Sequence, residues 1–242
     1  MTLYALGDVH GQLDGLKRAH DLIARDAGSG PGAARIVHLG DYVDRGPDSR
    51  GVVRYLREGA AQHPDWIILR GNHDRMFCRF VRSGTVHDDR IKSGLGWLHP
   101  RLGGVDTLAS YGVTATEARP RDARRAAAEA VPPEDLTFLE ALPLVHETDQ
   151  LIFVHAGIRP GVPLAEQEED DLIWIRDGFL DDDTDHGRLV VHGHTALDAP
   201  QHFGNRIDLD GGAGYGRPLV PVAFEGTDCF LLTDTGRVPL RP

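Results

Sequence analysis

Three short apolar runs, each closed by a glycine and then a polar residue, organise the first 75 residues of the chain. Leu3 to Leu6 leads into Gly7-Asp8, Arg35 to Leu39 into Gly40-Asp41, and Trp66 to Arg70 into Gly71-Asn72. Apolar runs of this length bounded by glycine are typical of buried strands. The pattern therefore predicts three strands whose ends carry polar side chains.

The segments between these runs have the spacing of amphipathic helices. Leu13, Leu16 and Ile23 recur at helical intervals after the first run, and Val52 and Leu56 do so after the second. Strands that alternate with helices form neighbouring parallel strands joined by crossovers. All three polar turns then lie at the carboxyl ends of strands on one edge of a sheet, where open α/β sheets bind their ligands.

The rest of the chain is predicted to be helical in the middle and rich in strands at the end. Residues 79–140 are mostly helical and irregular, with helices over 121–130 and from Pro132-Pro133 through Leu139. Two acidic runs, 166–171 and 181–185, are predicted to be exposed loops. The predicted later strands cover residues 142–147, 151–154, 189–191, 207–209, 220–224, 229–233 and 237–240. We find no repeat or linker, so residues 1–242 are predicted to form one domain.

Composition excludes several classes of partner. The formal charge is −11, from 26 basic and 37 acidic residues. This balance argues against nucleic acid or an anionic membrane as the main partner, but metal ions would still allow a phosphorylated substrate. Cys78 and Cys229 lie in apolar contexts and are predicted to be buried thiols in a reducing compartment. With no charged leader and an N-terminal apolar run too short to span a bilayer, the protein is predicted to be cytoplasmic.

Carboxylate, imidazole and amide side chains cluster at the predicted strand ends. They lie in five segments: Gly7-Asp8-Val9-His10-Gly11, Gly40-Asp41-Tyr42-Val43-Asp44-Arg45-Gly46, Gly71-Asn72-His73-Asp74, His155-Ala156-Gly157 and Gly193-His194-Thr195. Oxygen and nitrogen donors without thiolates suit Mn²⁺, Fe or Zn²⁺ rather than Ca²⁺, which prefers oxygen alone. The flanking glycines allow the sharp turns by which these side chains can converge.

In this order the five segments resemble the phosphoprotein phosphatase family, and within it the bacterial and phage-type serine/threonine phosphatases. The motifs run from residue 7 to residue 195 and so cover most of the chain. The resemblance implies an α/β (α+β) calcineurin-like metallophosphoesterase fold, a central β-sandwich of two mixed sheets flanked by helices. It also implies a phosphoric monoester hydrolase that acts on a phosphorylated protein or peptide. The chain lacks the long C-terminal extensions that bind regulatory subunits in eukaryotic members, so no such subunit is expected.

The resemblance also assigns roles to the residues. Asp8 and His10 match ligands of one divalent ion, Asp41 matches a bridging carboxylate, and Asn72, His155 and His194 match ligands of a second ion. Mn²⁺ is the first expectation for both ions, with Fe or Zn²⁺ as alternatives. The family's mechanism is direct attack by a hydroxide that bridges the metals, with His73 as general acid and Asp44 as its orienting partner. Arg45, Arg176 and Asn72 match groups that contact the phosphate.

Some assignments leave alternatives open. Arg159 competes with Arg176 as the second phosphate-binding arginine, whereas Arg70 is expected to pair with a nearby carboxylate. Motif register selects His194 over His192 as the ligand. Asp74 replaces the glutamate of eukaryotic members, which puts the role of that position in doubt.

Two other functions are compatible with the motifs. Symmetrical dinucleoside tetraphosphatases share three of them, but typically lack the aspartate at position 44 and carry a different residue at position 195. Asp44 and Thr195 therefore favour the phosphomonoesterase over this alternative. A catalytically silent binding scaffold is the second alternative, and it is disfavoured because no ligand and no acid is missing.

Overall fold

A computed structural model describes residues 2–28 and 34–242, which contain seven α-helices and eleven strands. The helices are α1 (Leu13–Ala27), α2 (Ser49–Gln62), α3 (Asn72–Ser83), α4 (Gly104–Ser110), α5 (Pro120–Ala130), α6 (Pro133–Glu140) and α7 (Glu169–Trp174). The strands are β1 (Leu3–Leu6), β2 (Arg35–His38), β3 (Trp66–Ile68), β4 (Val145–Glu147), β5 (Leu151–Val154), β6 (Leu189–His192), β7 (Gln201–His202), β8 (Arg206–Asp208), β9 (Val222–Glu225), β10 (Asp228–Thr233) and β11 (Gly236–Leu240).

The strands form two mixed sheets. Their orders are β11-β10-β9-β1-β2-β3 and β4-β5-β6-β8-β7. In the first sheet β1, β2 and β3 are parallel neighbours, and β9 to β11 run antiparallel. In the second, β5, β6 and β8 are parallel, with antiparallel β4 and β7 at the edges. The predicted class, a sandwich of mixed sheets flanked by helices, is confirmed.

The two sheets pack face to face, and the alternation of side chains along each strand sets their positions. On β1, Leu3 and Ala5 face the core between the sheets with Phe153 and Val191, whereas Tyr4 and Leu6 face the helices. Successive strand residues point to opposite faces, so a strand buried on both faces is apolar throughout. The three apolar runs of the first 75 residues therefore form strands although polar and apolar residues do not alternate along them.

Helices cover both outer faces. Residues of α1 to α6 enter the core beside the first sheet. On the second sheet, Ile152 and Val190 pack against Leu172 and Ile173 of α7. The predicted exposed loop over 166–171 is therefore partly wrong, because α7 begins at Glu169 and its apolar side is needed to cover this sheet. The short strand β7 was also not predicted, since Gln201-His202 has no apolar character.

Candidate metal centre and phosphate site

The predicted site residues come together where the carboxyl ends of both sets of parallel strands meet. Residues after β1, β2 and β3 approach from one sheet, and those after β5 and β6 approach from the other. Backbone hydrogen bonds join the turns: His10 donates its amide to the Asp41 carbonyl at 2.8 Å, and Gly193 donates to the His155 carbonyl at 2.8 Å. The parallel order of these strands therefore produces the convergence that the sequence predicts.

Backbone strain is concentrated at this site. Among the described residues, the non-glycine residues with positive φ are His10, Asp41, Asp44, Arg45 and His194, with φ between 44° and 75°. All five are among the site residues predicted from the sequence. Side chains other than glycine rarely adopt this conformation, and such residues concentrate at functional sites.

One group of side chains surrounds His10. Its Nε2 atom lies 3.8 Å from Asp8 Oδ2 and 3.7 Å from Asp41 Oδ2. His10, Asp41 and His73 also offer donor atoms within 4.8 Å of one another. By distance alone, His73 is close enough to be a further ligand of the first ion, beside the three predicted ligands.

A second group shares Asp41. Donor atoms of Asp41, His155 and His194 lie within 4.8 Å of one another. His155 Nε2 is 3.4 Å from Asp41 Oδ1 and 2.9 Å from Asn72 Oδ1, so the predicted amide ligand also joins this group. Asp41 belongs to both groups, as a bridging carboxylate must.

The residues fit divalent metal ions. The Nδ1 atoms of His10 and His155 donate to the carbonyls of Val43 and Leu39 at 2.8 and 3.0 Å, which leaves both Nε2 lone pairs directed at the centre. His194 Nε2 is buried without a hydrogen-bond partner. Burial and the neighbouring carboxylates of Asp210 and Asp41 raise the pKa of Asp8, so a cation there would offset a local excess of negative charge.

The predicted acid and its partner form a short contact. His73 Nδ1 lies 2.5 Å from Asp44 Oδ2. Asp44 also accepts hydrogen bonds from Trp97 Nε1 at 2.8 Å and from the Thr107 hydroxyl at 2.6 Å. These two residues were missed from the sequence, because they lie in the segment interpreted only as irregular and carry no motif.

Burial controls the protonation of this pair. It raises the pKa of Asp44 to about 8 and lowers the pKa of His73 to about 3. Because the two groups are in contact, they titrate as a unit, and the pair retains one exchangeable proton at neutral pH. A general acid needs such a proton, and the other ring nitrogen of His73, Nε2, faces the Arg45 guanidinium.

Asp74, whose role was in doubt, holds the neighbouring turns in place. Its carboxylate accepts hydrogen bonds from the backbone amides of Gly71, Asp41 and Tyr42, each at 2.9 Å. The side chain is fully buried. Asp74 therefore fixes the turn that carries Asp41, the predicted bridging carboxylate.

Two of the four candidate arginines lie at the site, and the other two form ion pairs with carboxylates. Arg45 reaches His10 Nε2 at 2.6 Å and His73 Nε2 at 3.2 Å through its guanidinium. Arg176 donates to the His194 carbonyl at 3.1 Å. Arg159 instead pairs with Asp171 at 2.8 Å. Arg70 pairs with Glu169 at 2.9 Å, as expected.

His192 and His194 occupy different environments. His192 is fully buried, and its ring contacts the Gly193 carbonyl at 3.0 Å and Arg206 at 3.3 Å. It thus packs locally behind the site, whereas His194 faces it.

The glycine-rich segment 208–216 closes one side of the site. A Cβ atom added at Gly214 would lie 2.6 Å from the His10 ring and 3.1 Å from Arg45, so only glycine allows this close approach. The next residue, Tyr215, places its ring 5.1 Å from the Arg45 guanidinium. The sequence held no signal for this aromatic contact.

A cavity of about 420 Å³ opens on the centre. Its walls include Asp41, Arg45, Asn72, His73, Arg176 and His194, together with Arg90, Lys92 and Trp174. Three predicted metal ligands, the predicted acid His73 and the two predicted phosphate-binding arginines thus face one space.

Comparison with known proteins gives relatives that act on nucleotides. The chain is 31% identical over 160 residues to a symmetrical bis(5′-nucleosyl)-tetraphosphatase of Methylococcus capsulatus, covering 66% of this chain but only 44% of that relative. It is 23% identical over 240 residues to an asymmetrical bis(5′-nucleosyl)-tetraphosphatase of Bacillus thuringiensis, covering 90% of this chain and 89% of the relative.

Solved structures share the fold. A cold-active protein-tyrosine phosphatase of Shewanella aligns with a TM-score of 0.64 at 16% identity, covering 99% of this chain and 80% of that one. At this identity the likeness concerns architecture alone.

The family-level match covers most of the chain. The calcineurin-like phosphoesterase family matches residues 1–211, a range that includes every predicted metal ligand and both predicted phosphate-binding arginines, Arg45 and Arg176. Members of this family use a binuclear metal centre, which agrees with two donor groups that share Asp41. On sequence, fold and site together, this chain belongs to the calcineurin-like phosphoesterases.

Proposed function

We propose that this protein is a metal-dependent hydrolase of dinucleoside polyphosphates that cleaves a phosphoric anhydride bond. The observation that carries the proposal is the cavity beside the metal-ligand groups, because four cationic side chains from separate segments line it, together with the carboxylates of Asp41, Asp170, Asp171 and Asp177. Arg45 and Arg176 lie next to the donor groups, and Arg90 and Lys92 lie on another segment that lines the same space. A monophosphate needs the first pair only, whereas a polyphosphate chain can contact both.

The outer cations are held by carboxylates that an anionic substrate can replace. Arg90 Nε donates to Asp170 at 2.8 Å, and Lys92 pairs with Asp177 across exposed side chains. Exposed ion pairs of this kind contribute little to stability, so exchanging the partner costs little. Trp174 adds an aromatic wall beside His194, with ring centroids 5.8 Å apart.

The site residues then have distinct tasks. Asp8, His10, Asp41, Asn72, His155 and His194 would hold two divalent ions, with Mn²⁺ as the first expectation. When bound, the ions would activate water and offset phosphoryl charge. Arg45 and Arg176 would orient the phosphate through their planar guanidinium groups. His73, held by Asp44, would protonate the departing phosphate oxygen.

The relatives support the alternative substrate class better than the main prediction from the motifs, a serine/threonine protein phosphatase. Two curated relatives are named for cleavage of dinucleoside tetraphosphates. The argument from Asp44 and Thr195 favoured a phosphomonoester, yet Asp44 acts in the structure by holding His73. Protonation of a leaving oxygen assists cleavage of an ester and of an anhydride, so the presence of Asp44 does not exclude an anhydride substrate.

A protein phosphatase remains the second candidate. The complete His73–Asp44 pair favours it, because an alkoxide leaving group needs a proton more than a phosphate leaving group does. Phosphorylated peptides would contact the same arginines.

A substrate panel decides between the two candidates. Purified protein with Mn²⁺ would be assayed on diadenosine tetraphosphate and on phosphoserine, phosphothreonine and phosphotyrosine peptides. A higher kcat/KM for the dinucleotide supports the proposal, and a higher value for a phosphopeptide overturns it in favour of the second candidate. Chromatography of the nucleotide products, ADP alone or AMP with ATP, assigns the bond that is cleaved.

A further inference from the structure

An exposed aromatic ring stands at the edge of the metal-ligand groups. Tyr215 is 61% exposed, which makes it the most exposed large hydrophobic side chain in the part of the chain that the structure describes. Exposing an aromatic ring to water forgoes the stabilisation that burial would supply. A ligand that covers this ring when it binds at the candidate active site would recover that stabilisation.

The segment that carries Tyr215 is firmly held. Residues Ala213–Tyr215 form a single 3₁₀ turn between Gly212 and Gly216, which both adopt left-handed backbone conformations. The Gly212 amide donates to Asp210 Oδ1 at 2.9 Å, and Tyr215 donates its amide to the Gly212 carbonyl at 2.9 Å. Arg217 pairs with Asp198 at 2.7 Å and so ties the end of the turn to another segment. The ring is thus presented by an ordered turn.

One face of the ring is directed toward the phosphate-binding group. The Arg45 guanidinium lies 5.1 Å from the Tyr215 ring centroid, within the range of a cation–π contact. Gly214 packs against His10 and Arg45, so the backbone that carries the ring is held close to the site. The remaining ring surface is open to solvent.

We propose that Tyr215 determines specificity by stacking one base of the nucleotide substrate. In a 5′-nucleotide whose phosphate is bound by Arg45, the base lies one ribose away, and the exposed Tyr215 ring lies beside that arginine. Base–aromatic stacking tolerates any base because every base has a π face. The inference rests on the proposed nucleotide substrate and adds the residue that recognises its base.

The test compares two ligands that differ in the nucleoside. Inhibition constants of ADP and of inorganic diphosphate would be measured in wild type and Tyr215→Ala, against any substrate the enzyme turns over. In Tyr215→Ala the inhibition constant of ADP should rise by about 5- to 150-fold more than that of diphosphate, so the ratio of the two constants should change. Tyr215→Phe, which keeps the ring, should restore the ratio.

Phe203 provides a matched control. It is also an exposed aromatic residue over an arginine, 3.9 Å from Arg206, but it lies before β8, at the end of the strand remote from the centre. Phe203→Ala should keep the wild-type ratio. Equal weakening of ADP and diphosphate by Tyr215→Ala would overturn the proposal, since the ring would then act only by positioning Arg45. A protein that does not cleave dinucleotides but still shows the changed ratio would contradict the proposed function alone.

Discussion

At the scale of single residues, the site keeps conformations that most side chains avoid. His10, Asp41, Asp44, Arg45 and His194 all have positive φ, at a cost on the order of 1–2 kcal/mol for each residue. The surrounding structure must supply this free energy. Asp74 contributes by binding the amides of Asp41 and Tyr42, and the Thr107 hydroxyl accepts from the Asp44 amide at 2.8 Å.

A pair of variants at one position separates function from backbone strain. Arg45→Ala and Arg45→Gly both remove the guanidinium, so kcat/KM should fall by about 10²-fold or more in each. Glycine adopts the φ of 67° found at position 45 without strain, whereas alanine does not. The strain that glycine avoids exceeds the extra conformational entropy that glycine loses on folding. Arg45→Gly should therefore unfold with a free energy about 0.5–1 kcal/mol higher than Arg45→Ala in urea titrations. Equal stabilities would show that the turn relaxes in the alanine variant.

The role of His73 is tested by activity and metal content together. His73→Ala should lower kcat by roughly 10²–10⁴-fold, because the leaving oxygen then departs without a proton donor. Metal content, measured by plasma mass spectrometry, should stay at the wild-type value. Loss of one metal equivalent would instead place His73 among the ligands, as its distance to His10 and Asp41 allows.

Asp41 is the counterpart of that experiment. Because it belongs to both donor groups, Asp41→Asn should reduce the content of both metal ions and the activity together. Unchanged activity in Asp41→Asn would contradict a centre of two ions.

At the scale of elements, features formed by residues adjacent in the chain could be predicted from the sequence, whereas contacts between distant segments could not. The turns after β1, β2 and β3 were predicted because strand, glycine and ligand are adjacent in the chain. Trp97 was not, because it reaches Asp44 from the segment between α3 and α4, and a tryptophan in an irregular segment has no pattern that predicts its contact. Likewise the start of α7 was predicted to be an exposed loop, because its first turn is acidic and the apolar residues Leu172 and Ile173 follow only afterwards.

A buried histidine pair joins α1 to β2. His20 Nε2 and His38 Nε2 are 2.9 Å apart. His38 Nδ1 donates to the Ile67 carbonyl, so its Nε2 accepts from His20, whose Nδ1 accepts from the Tyr55 hydroxyl at 2.9 Å. This chain of hydrogen bonds requires both imidazoles to be neutral. Burial accordingly lowers the pKa of His20 to about 2 and that of His38 to about 4.

The pair should make stability depend on pH. The unfolded chain protonates these histidines near pH 6.5, whereas the folded chain resists protonation until about pH 4 or below. Their contribution is therefore present above pH 6.5 and is lost as pH falls, by up to about 1.4 kcal/mol per pH unit for each histidine. Urea unfolding between pH 7 and pH 5 measures the slope, which His20→Gln should reduce. An unchanged slope in that variant would contradict the assignment.

At the scale of the whole molecule, the predicted metal ligands come from both layers of the sandwich. Asp8, His10, Asp41 and Asn72 follow strands of the six-stranded sheet, whereas His155 and His194 follow strands of the other. Ions bound between them would link the two sheets.

Metal removal should therefore lower the stability of the entire fold. Ions that bind only the folded chain raise the free energy of unfolding by about 2.7 kcal/mol at 100 times the dissociation constant. Thermal unfolding with Mn²⁺ and after dialysis against a chelator measures the difference. Asp41→Asn should show a much smaller difference, and an equal one would place the stabilising ions elsewhere.

The central position of β1 has a consequence for synthesis on the ribosome. Leu3 pairs with Arg35 on one side and with Phe224 on the other, so β1 receives its two neighbours from opposite ends of the chain. While translation proceeds, β2 can pair with it early, but the opposite edge has an unsatisfied backbone until β9 emerges. An open apolar edge invites pairing with other chains. Nascent protein should thus depend on chaperones until the last strands leave the exit tunnel.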